Sequence, residues 1–262
     1  MSKPRIDQSN PRTVARLIKE GRGQGHREDY RPWLQPRDVP SLGTSSRGRG
    51  WRSKTRVVST LSGLERDWVY TLEWNPQVAD IREQYPLELG ETQRLAVGLG
   101  LRHPNKQGKD TLMSSDVEVT WDDDTRTAYQ VKPLAMLKNP RTVEKLKIEA
   151  AYWKVRGVPW KLVTEREMNP VLIRNVRRIH PFFFDDAIYP YAGLVETVHA
   201  RVTPCLAAGV PLLALCTECD QALKLKAGAT LKLTYHLIAH RRWPVDFSVP
   251  MNVDQPLRLL TL

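Results

Sequence analysis

Cysteine, long apolar runs and an apolar leader are scarce or missing from this sequence. Only Cys205, Cys216 and Cys219 are spread over its 262 residues. That small, odd number gives no disulfide framework and fits a reducing cytoplasm. No stretch approaches the ~18 uninterrupted apolar residues of a membrane-spanning helix, which excludes one. The start, Met1-Ser2-Lys3-Pro4-Arg5-Ile6-Asp7-Gln8, carries no apolar run of the secretory kind. Several catalytic patterns are also missing. His103, His180, His236 and His240 show no metal or triad spacing, and no Ser–His–Asp arrangement emerges. Gly21, Gly23 and Gly25 follow no strand signal, so they do not form a nucleotide-cradling loop. Cys216 and Cys219 make one Cys-x-x-Cys pair with His199 not far off, whereas structural zinc usually brings two close pairs. These cysteines fall in apolar helical stretches such as Leu212-Leu213-Ala214-Leu215-Cys216, where free cysteine is core filler, so zinc is disfavoured.

What is present is an ordinary core-forming composition, 41% hydrophobic and 26% charged, under a net charge of +11. The surplus is uneven. Residues 1–60 hold 14 basic and 5 acidic side chains, a net of +9, and the remaining 202 residues hold 26 and 24, a net of +2. Much of it is arginine among glycines, as in Arg22-Gly23-Gln24-Gly25 and Arg47-Gly48-Arg49-Gly50-Trp51-Arg52. A guanidinium grips phosphate through a planar fork, and glycine lets the backbone come close. Arg22, Arg47, Arg49, Arg52 and Lys54 are therefore the candidate DNA-phosphate contacts. A solvated arm is the alternative reading, and charge alone says nothing about chemistry.

Residues 1–57 read as a basic N-terminal extension with one helix, Pro11 to Glu20, and an irregular stretch from Arg31 to Gly50. From Ser59 the pattern becomes regular. Leu64, Trp68 and Leu72 recur at helical spacing behind a Thr60 or Ser62 cap, and Asn75-Pro76 ends the helix. Val78 to Leu89 reads as extended, and Gly90 to Lys109 as a polar loop. Val117, Val119 and Trp121 alternate with polar residues, as does Ala128 to Lys132 beyond the Asp122-Asp123-Asp124 turn, which predicts an antiparallel hairpin. A helix over Thr142–Val155 and a strand over Val158–Val163 complete a small α/β or α+β core, residues 58–166. Residues 167–262 predict a helix from Asn169-Pro170, helices near Ala192–Ala207, Pro211–Leu225 and Thr230–His240, and β-like runs at Trp243–Val249 and Pro256–Leu260. Three helices and a terminal hairpin make a winged-helix-like domain. Its Thr230–Arg242 segment has two readings: a recognition helix in a DNA groove, or part of a domain that docks a protein.

The informative constellation is Asp116 on one hairpin strand with Gln130 and Lys132 on the next. Positions i and i+2 of a strand share a face, so Gln130 and Lys132 point the same way and Asp116 meets them across the hairpin. A carboxylate, a neighbouring oxygen and an ammonium are what metal-assisted phosphodiester hydrolysis uses. Asp-(x13)-Gln-x-Lys resembles the PD-(D/E)xK nuclease signature, with Gln130 where an acid is usual. Glu65, in the first turns of the preceding helix, stands where such nucleases commonly place another acid.

A more specific resemblance runs over residues 11–172. It is carried by Ile18 to His26, Ser62-Gly63-Leu64-Glu65, Asp80 to Leu87, Met113-Ser114-Ser115-Asp116, Gln130-Val131-Lys132-Pro133 and Glu144 to Glu149 with Tyr152-Trp153. These resemble the TnsA endonuclease subunits of TnsABC-type cut-and-paste transposases, in the restriction-endonuclease-like superfamily. The resemblance implies a restriction-endonuclease-like nuclease domain followed by a small winged-helix-like domain. It implies that Glu65, Asp116, Gln130 and the Val131 carbonyl bind Mg²⁺, with Mn²⁺ a substitute, and that Lys132 is the catalytic lysine. Glu149 has two readings: an acid reaching the site, or a solvated helix residue paired with Lys145 four positions earlier. Glu73, Asp80 and Glu118 read as ordinary surface or structural acids. The implied activity is cleavage of the non-transferred strand at the 5′ transposon ends in a bacterial cytoplasm. A TnsB-like DDE transposase and a TnsC-like AAA+ regulator are the implied partners. A free-standing nuclease and a non-catalytic DNA-binding adaptor are the competing readings.

Overall fold

The computed structural model describes residues 6–38, 45–53 and 56–260, and its contacts divide the chain into two compact units, 1–168 and 169–262. The first unit is built on a four-stranded mixed sheet in the order β3-β6-β7-β8. Its strands are β3 (Val78–Pro86), β6 (Ser114–Trp121), β7 (Arg126–Val131) and β8 (Trp160–Val163). β6 pairs antiparallel with both β3 and β7, and β7 pairs parallel with β8. A parallel pair needs a crossover connection, and helix α4 (Pro140–Val155) supplies it.

Alternation along β7 sorts the two faces of the sheet. Val117, Val119, Tyr129 and Val131 pack with Val69 and Leu72 of helix α2 (Gly63–Trp74). Ala128, between Tyr129 and Thr127 in sequence, packs instead with Tyr152 and Trp153 of α4 and with Leu87. The sheet is thus sandwiched between α2 and α4. Ser62 caps α2 by accepting from Glu65 N at 3.2 Å, while its hydroxyl donates to Glu65 Oε1 at 3.0 Å. The Glu65 carboxylate also reaches back to accept from Leu61 N, and Ser62 rather than Thr60 holds the cap position.

Two stretches depart from the sequence reading. Gly90 to Lys109 is not a continuous loop: Leu89–Gly98 forms helix α3, and Asn105–Asp110 holds the two-residue strands β4 (Asn105–Lys106) and β5 (Lys109–Asp110). The Glu88 carboxylate caps α3, accepting from Gly90 N and Glu91 N at 2.8 Å each. That local bond outweighs the helix-weakening glycines at 90 and 98. Within 31–50, Ser46–Arg49 is strand β1, paired antiparallel with β2 (Val57–Thr60).

The N-terminal segment is no loose arm. Leu17 of helix α1 (Pro11–Lys19) is buried with Trp33, Leu34 and Leu112. Trp33 N donates to Gln84 O at 3.2 Å, and Tyr30 Oη donates to Glu83 O at 3.0 Å, stitching the segment to β3. Gly23 sits at φ +72°, and a Cβ there would lie 2.2 Å from Pro86 Cγ, so only glycine allows this approach.

The second unit contains α5 (Pro170–Ile179), α6 (Val195–Ala207), α7 (Leu212–Ala222) and α8 (Ala229–Ala239). Nine of the eleven α8 residues are buried, which removes the recognition-helix reading: a helix at the centre of its own domain has no face left for a DNA groove. The expected terminal hairpin reduces to one antiparallel bridge, Val245↔Leu259. Pro244, Pro250 and Pro256 withhold the amide donors a longer ladder needs. Cys216 and Cys219 are buried on α7, and burial pushes the Cys216 thiol up to about 11. No described helix is long and apolar enough to cross a membrane.

Inside the first unit, Arg82 and Glu118 form a buried bidentate pair with both contacts at 2.7 Å. Glu118→Ala strands a buried guanidinium and is expected to cost ~3–5 kcal/mol in urea unfolding; a loss under 1 kcal/mol would contradict it.

Candidate active site

The antiparallel register brings one row of side chains together across three strands. Glu83↔Val117 and Tyr85↔Ser115 set Gln84 opposite Asp116, and Val117↔Tyr129 sets Asp116 opposite Gln130. Lys132 follows the end of β7 beside the start of β6. Glu65 comes from the first turn of α2.

The contacts join these residues into one cluster. Lys132 Nζ donates to Asp116 Oδ2 at 2.9 Å and to the Val131 carbonyl at 3.0 Å. Val131 N donates to the same Asp116 oxygen at 2.9 Å, and Asp116 N donates to Gln130 Oε1 at 3.1 Å. Glu65 accepts from Leu61 N on Oε2 at 3.0 Å and from Ser62 on Oε1. Between the acids stands Gln84, whose Nε2 lies 3.4 Å from Glu65 Oε2 and 3.3 Å from Asp116 Oδ1. Glu65, Gln84, Asp116 and Gln130 are all buried, while the Lys132 side chain keeps 26% exposure.

This environment reshapes the charges. Burial, and then the negative charge of Asp116, push Glu65 up to about 7. Burial disfavours the Lys132 ammonium, but the Asp116 ion pair outweighs it and the lysine is raised above its usual range. Lys132 is therefore a held cation, not a base.

Glu149 is 2% exposed, which corrects the solvated-helix reading. Its Oε1 accepts from Ser115 Oγ at 2.6 Å and from Trp160 Nε1 at 2.9 Å, and Lys145 is not its partner. Burial pushes it up to about 8, so it is a neutral acid near neutral pH. Glu73, Asp80 and Glu118 are structural: each is buried, Glu73 bonded to Trp51 N, Asp80 to Arg27 N and Glu118 to Arg82.

The basic candidates divide. Arg22 is buried and paired with Asp38 and Glu20, with a further bond to Trp33 O, so it is not available to phosphate. Arg52 is half-buried and donates to Glu73 O at 3.2 Å and Asn75 O at 3.0 Å, tying off the C-terminal end of α2. In both, the fork expected to grip phosphate grips internal oxygens instead. Arg47 is exposed on β1 and Arg49 is half-buried there, and Lys54 lies outside the described residues.

Sequence reasoning missed Gln84, Ser114 and Ser115. Gln84 lies inside the quoted Asp80–Leu87 stretch, and its register opposite Asp116 is the signal that finds it. Its backbone is at φ +50°, a left-handed conformation unusual for glutamine within a strand. Among the described residues no group of three or more His, Cys, Asp or Glu is arranged around a metal position, so the oxygens here are two carboxylates supplemented by neutral carbonyls.

A mixed sheet between two helices, with Asp, Gln and Lys gathered at one end of its hairpin, defines a nuclease core of the restriction-endonuclease-like class. The family described as TnsA-like endonuclease N terminal matches residues 75–165, and TnsA endonuclease C terminal matches residues 167–247. The chain is 39% identical over 230 residues to "Transposon Tn7 transposition protein TnsA" of Escherichia coli, covering 83% of this chain and 80% of that protein. The chain belongs to the TnsA endonuclease family and is a DNA endonuclease. Asp116, Gln130, Lys132 and Glu149 fall inside the first matched range, and Glu65 precedes it.

Two measurements follow. The raised pKa of Glu149 means the folded state binds a proton that the unfolded state releases above pH 4.5. Its contribution is fully present below that pH and is lost as pH rises through about 8. Glu149→Gln keeps an oxygen acceptor without the titration, so its urea-unfolding profile is expected to fall less over that window; parallel profiles would refute the assignment. Separately, Arg22→Ala is expected to lower the melting temperature, and Arg47→Ala to leave it unchanged while weakening DNA binding in low salt. Equal melting temperatures for both variants would contradict the internal role of Arg22.

Proposed function

We propose that this endonuclease is Mg²⁺-dependent and cuts the non-transferred strand at the 5′ ends of a transposon. The observation that supports it is the joined set of Glu65, Asp116 and Lys132 at one end of the hairpin, with Lys132 Nζ 2.9 Å from Asp116. The donors fit a hard divalent cation: two carboxylates, the Val131 carbonyl and the Gln130 amide oxygen, with no thiolate or imidazole among them. Amide hydrogens of Gln84 lie against both carboxylates, in a position that favours positive charge. Glu65, Asp116, Gln130 and Val131 would hold Mg²⁺ or Mn²⁺, which would supply Lewis-acid polarisation of the phosphate and activation of water. Lys132, fixed as an ammonium by Asp116, orients the attacking water and offsets charge developing on the phosphate. Glu149 and Ser115 brace the strand that carries Asp116.

A neutral Gln130 in place of a carboxylate gives the site one negative charge fewer, which weakens its own hold on a cation and suits metal arriving with DNA phosphate. Exposed arginines such as Arg47 supply affinity without sequence reading. Placement at the ends then falls to a TnsB-like DDE transposase, which cuts and joins the 3′ ends, under a TnsC-like AAA+ regulator that contacts the C-terminal unit. The relative's name, a Tn7 transposition protein, supports this setting.

A strand-specific assay on transposon-end DNA with Mg²⁺ tests the reading, with and without the two partners. Asp116→Ala and Lys132→Ala are expected to abolish 5′-strand cuts while 3′ cuts persist. Normal cutting by Asp116→Ala would refute the site, and strong cutting without partners would favour a free-standing nuclease.

A further inference from the structure

Every oxygen of the candidate cation site already carries an internal donor. Lys132 Nζ is on Asp116 Oδ2 and the Val131 carbonyl, and Asp116 N is on Gln130 Oε1. Leu61 N is on Glu65 Oε2, and the Ser62 hydroxyl is on Oε1. Gln84 differs from the rest because it alone touches both carboxylates: one amide nitrogen serves Glu65 Oε2 and Asp116 Oδ1, at 3.4 and 3.3 Å. Three features hold it there. Ser114 Oγ donates to Gln84 Oε1 at 3.1 Å and fixes which end of the amide faces the acids. The backbone at φ +50° is a conformation a non-glycine residue keeps only when its surroundings impose it. Trp33 N closes on Gln84 O at 3.2 Å from the N-terminal segment. The side chain is 2% exposed, so water does not compete for these bonds.

We propose that Gln84 is the latch of the cation site: its amide nitrogen satisfies Glu65 and Asp116 when no cation is bound, and must leave them for a divalent ion to bind between them. The inference rests on the reading of Glu65 and Asp116 as cation ligands. A group that binds only the empty state lowers cation affinity by the free energy of its own contacts. Gln84 is then a positioning residue that sets affinity and never touches the reacting phosphate. It keeps the two acids facing each other without repulsion, and it raises the cation concentration at which the site fills.

The test uses the full chain at one fixed pH without DNA, titrated with Mn²⁺ and read by the paramagnetic resonance of the free ion. Gln84→Met keeps the length of the side chain and removes both amide atoms. It is expected to bind Mn²⁺ about tenfold more tightly than wild type, the lower end for a single bond to a charged acceptor, because the two contacts are long and share one nitrogen. Its melting temperature without metal is expected to fall below wild type, and saturating Mn²⁺ to narrow that gap. Ser114→Ala frees the amide oxygen and is expected to tighten binding by a smaller factor. Mn²⁺ affinity that is unchanged or weaker in Gln84→Met overturns the latch. If that variant fails to fold, unchanged or weaker affinity in Ser114→Ala overturns it instead. Asp116→Ala separates the two readings. If it binds Mn²⁺ like wild type, the cation site itself is wrong; if it loses binding while Gln84→Met matches wild type, only the latch is wrong.

Discussion

Placing two carboxylates side by side in a buried corner is a costly arrangement, and much of the first unit is arranged to support it. Glu65 and Asp116 are both buried, and burial first, then the charge of Asp116, pushes the proton affinity of Glu65 upward. The fold answers with donors from four directions: the capping turn before α2, the amide of Val131, the ammonium of Lys132 and the side chain of Gln84. Removing the acids would remove the need for the capping geometry at Ser62 and for a left-handed glutamine within β3. The sheet register has the same focus, since it aligns Gln84, Asp116 and Gln130 across three strands.

The resulting balance of charge is modest. Glu149 is a neutral acid at pH 7, Glu65 is near its midpoint, and Lys132 offsets Asp116. Gln130 adds an oxygen without adding charge. A corner with this balance costs less to bury than a fully ionised cluster of carboxylates would at the same depth.

Much of this was legible in the sequence, because it follows from short-range rules. Ser62 with Glu65 three residues on, and Pro76 beyond Asn75, frame α2. Alternation around the Asp122-Asp123-Asp124 turn gives the hairpin, and the i, i+2 spacing of Gln130 and Lys132 places both near Asp116. What stayed hidden depends on partners far along the chain. Arg22 reads as a phosphate contact until Asp38 closes on it, and Arg52 until the end of α2 arrives. Glu149 reads equally as a site acid or a helix-surface acid, because the burial that decides between them comes from Ser115 and Trp160. Gln84 is a polar residue in a strand to any local rule; its conformation is set by Trp33, Ser114 and the two acids together. Helix α3 was masked by its glycines and shown by a cap that only the folded backbone displays.

The stitching of residues 17–38 onto β3 also fixes an order of events when the chain is made. Tyr30 and Arg27 bond to Glu83 and Asp80, each 53 residues further on, and Leu17 needs Leu112 to complete its cluster. These residues therefore wait, without their own partners, until β3 and the chain beyond it have been made. Closing such long loops is slow, and it ties the N-terminal segment and the corner that holds Glu65 and Asp116 into one cooperative step.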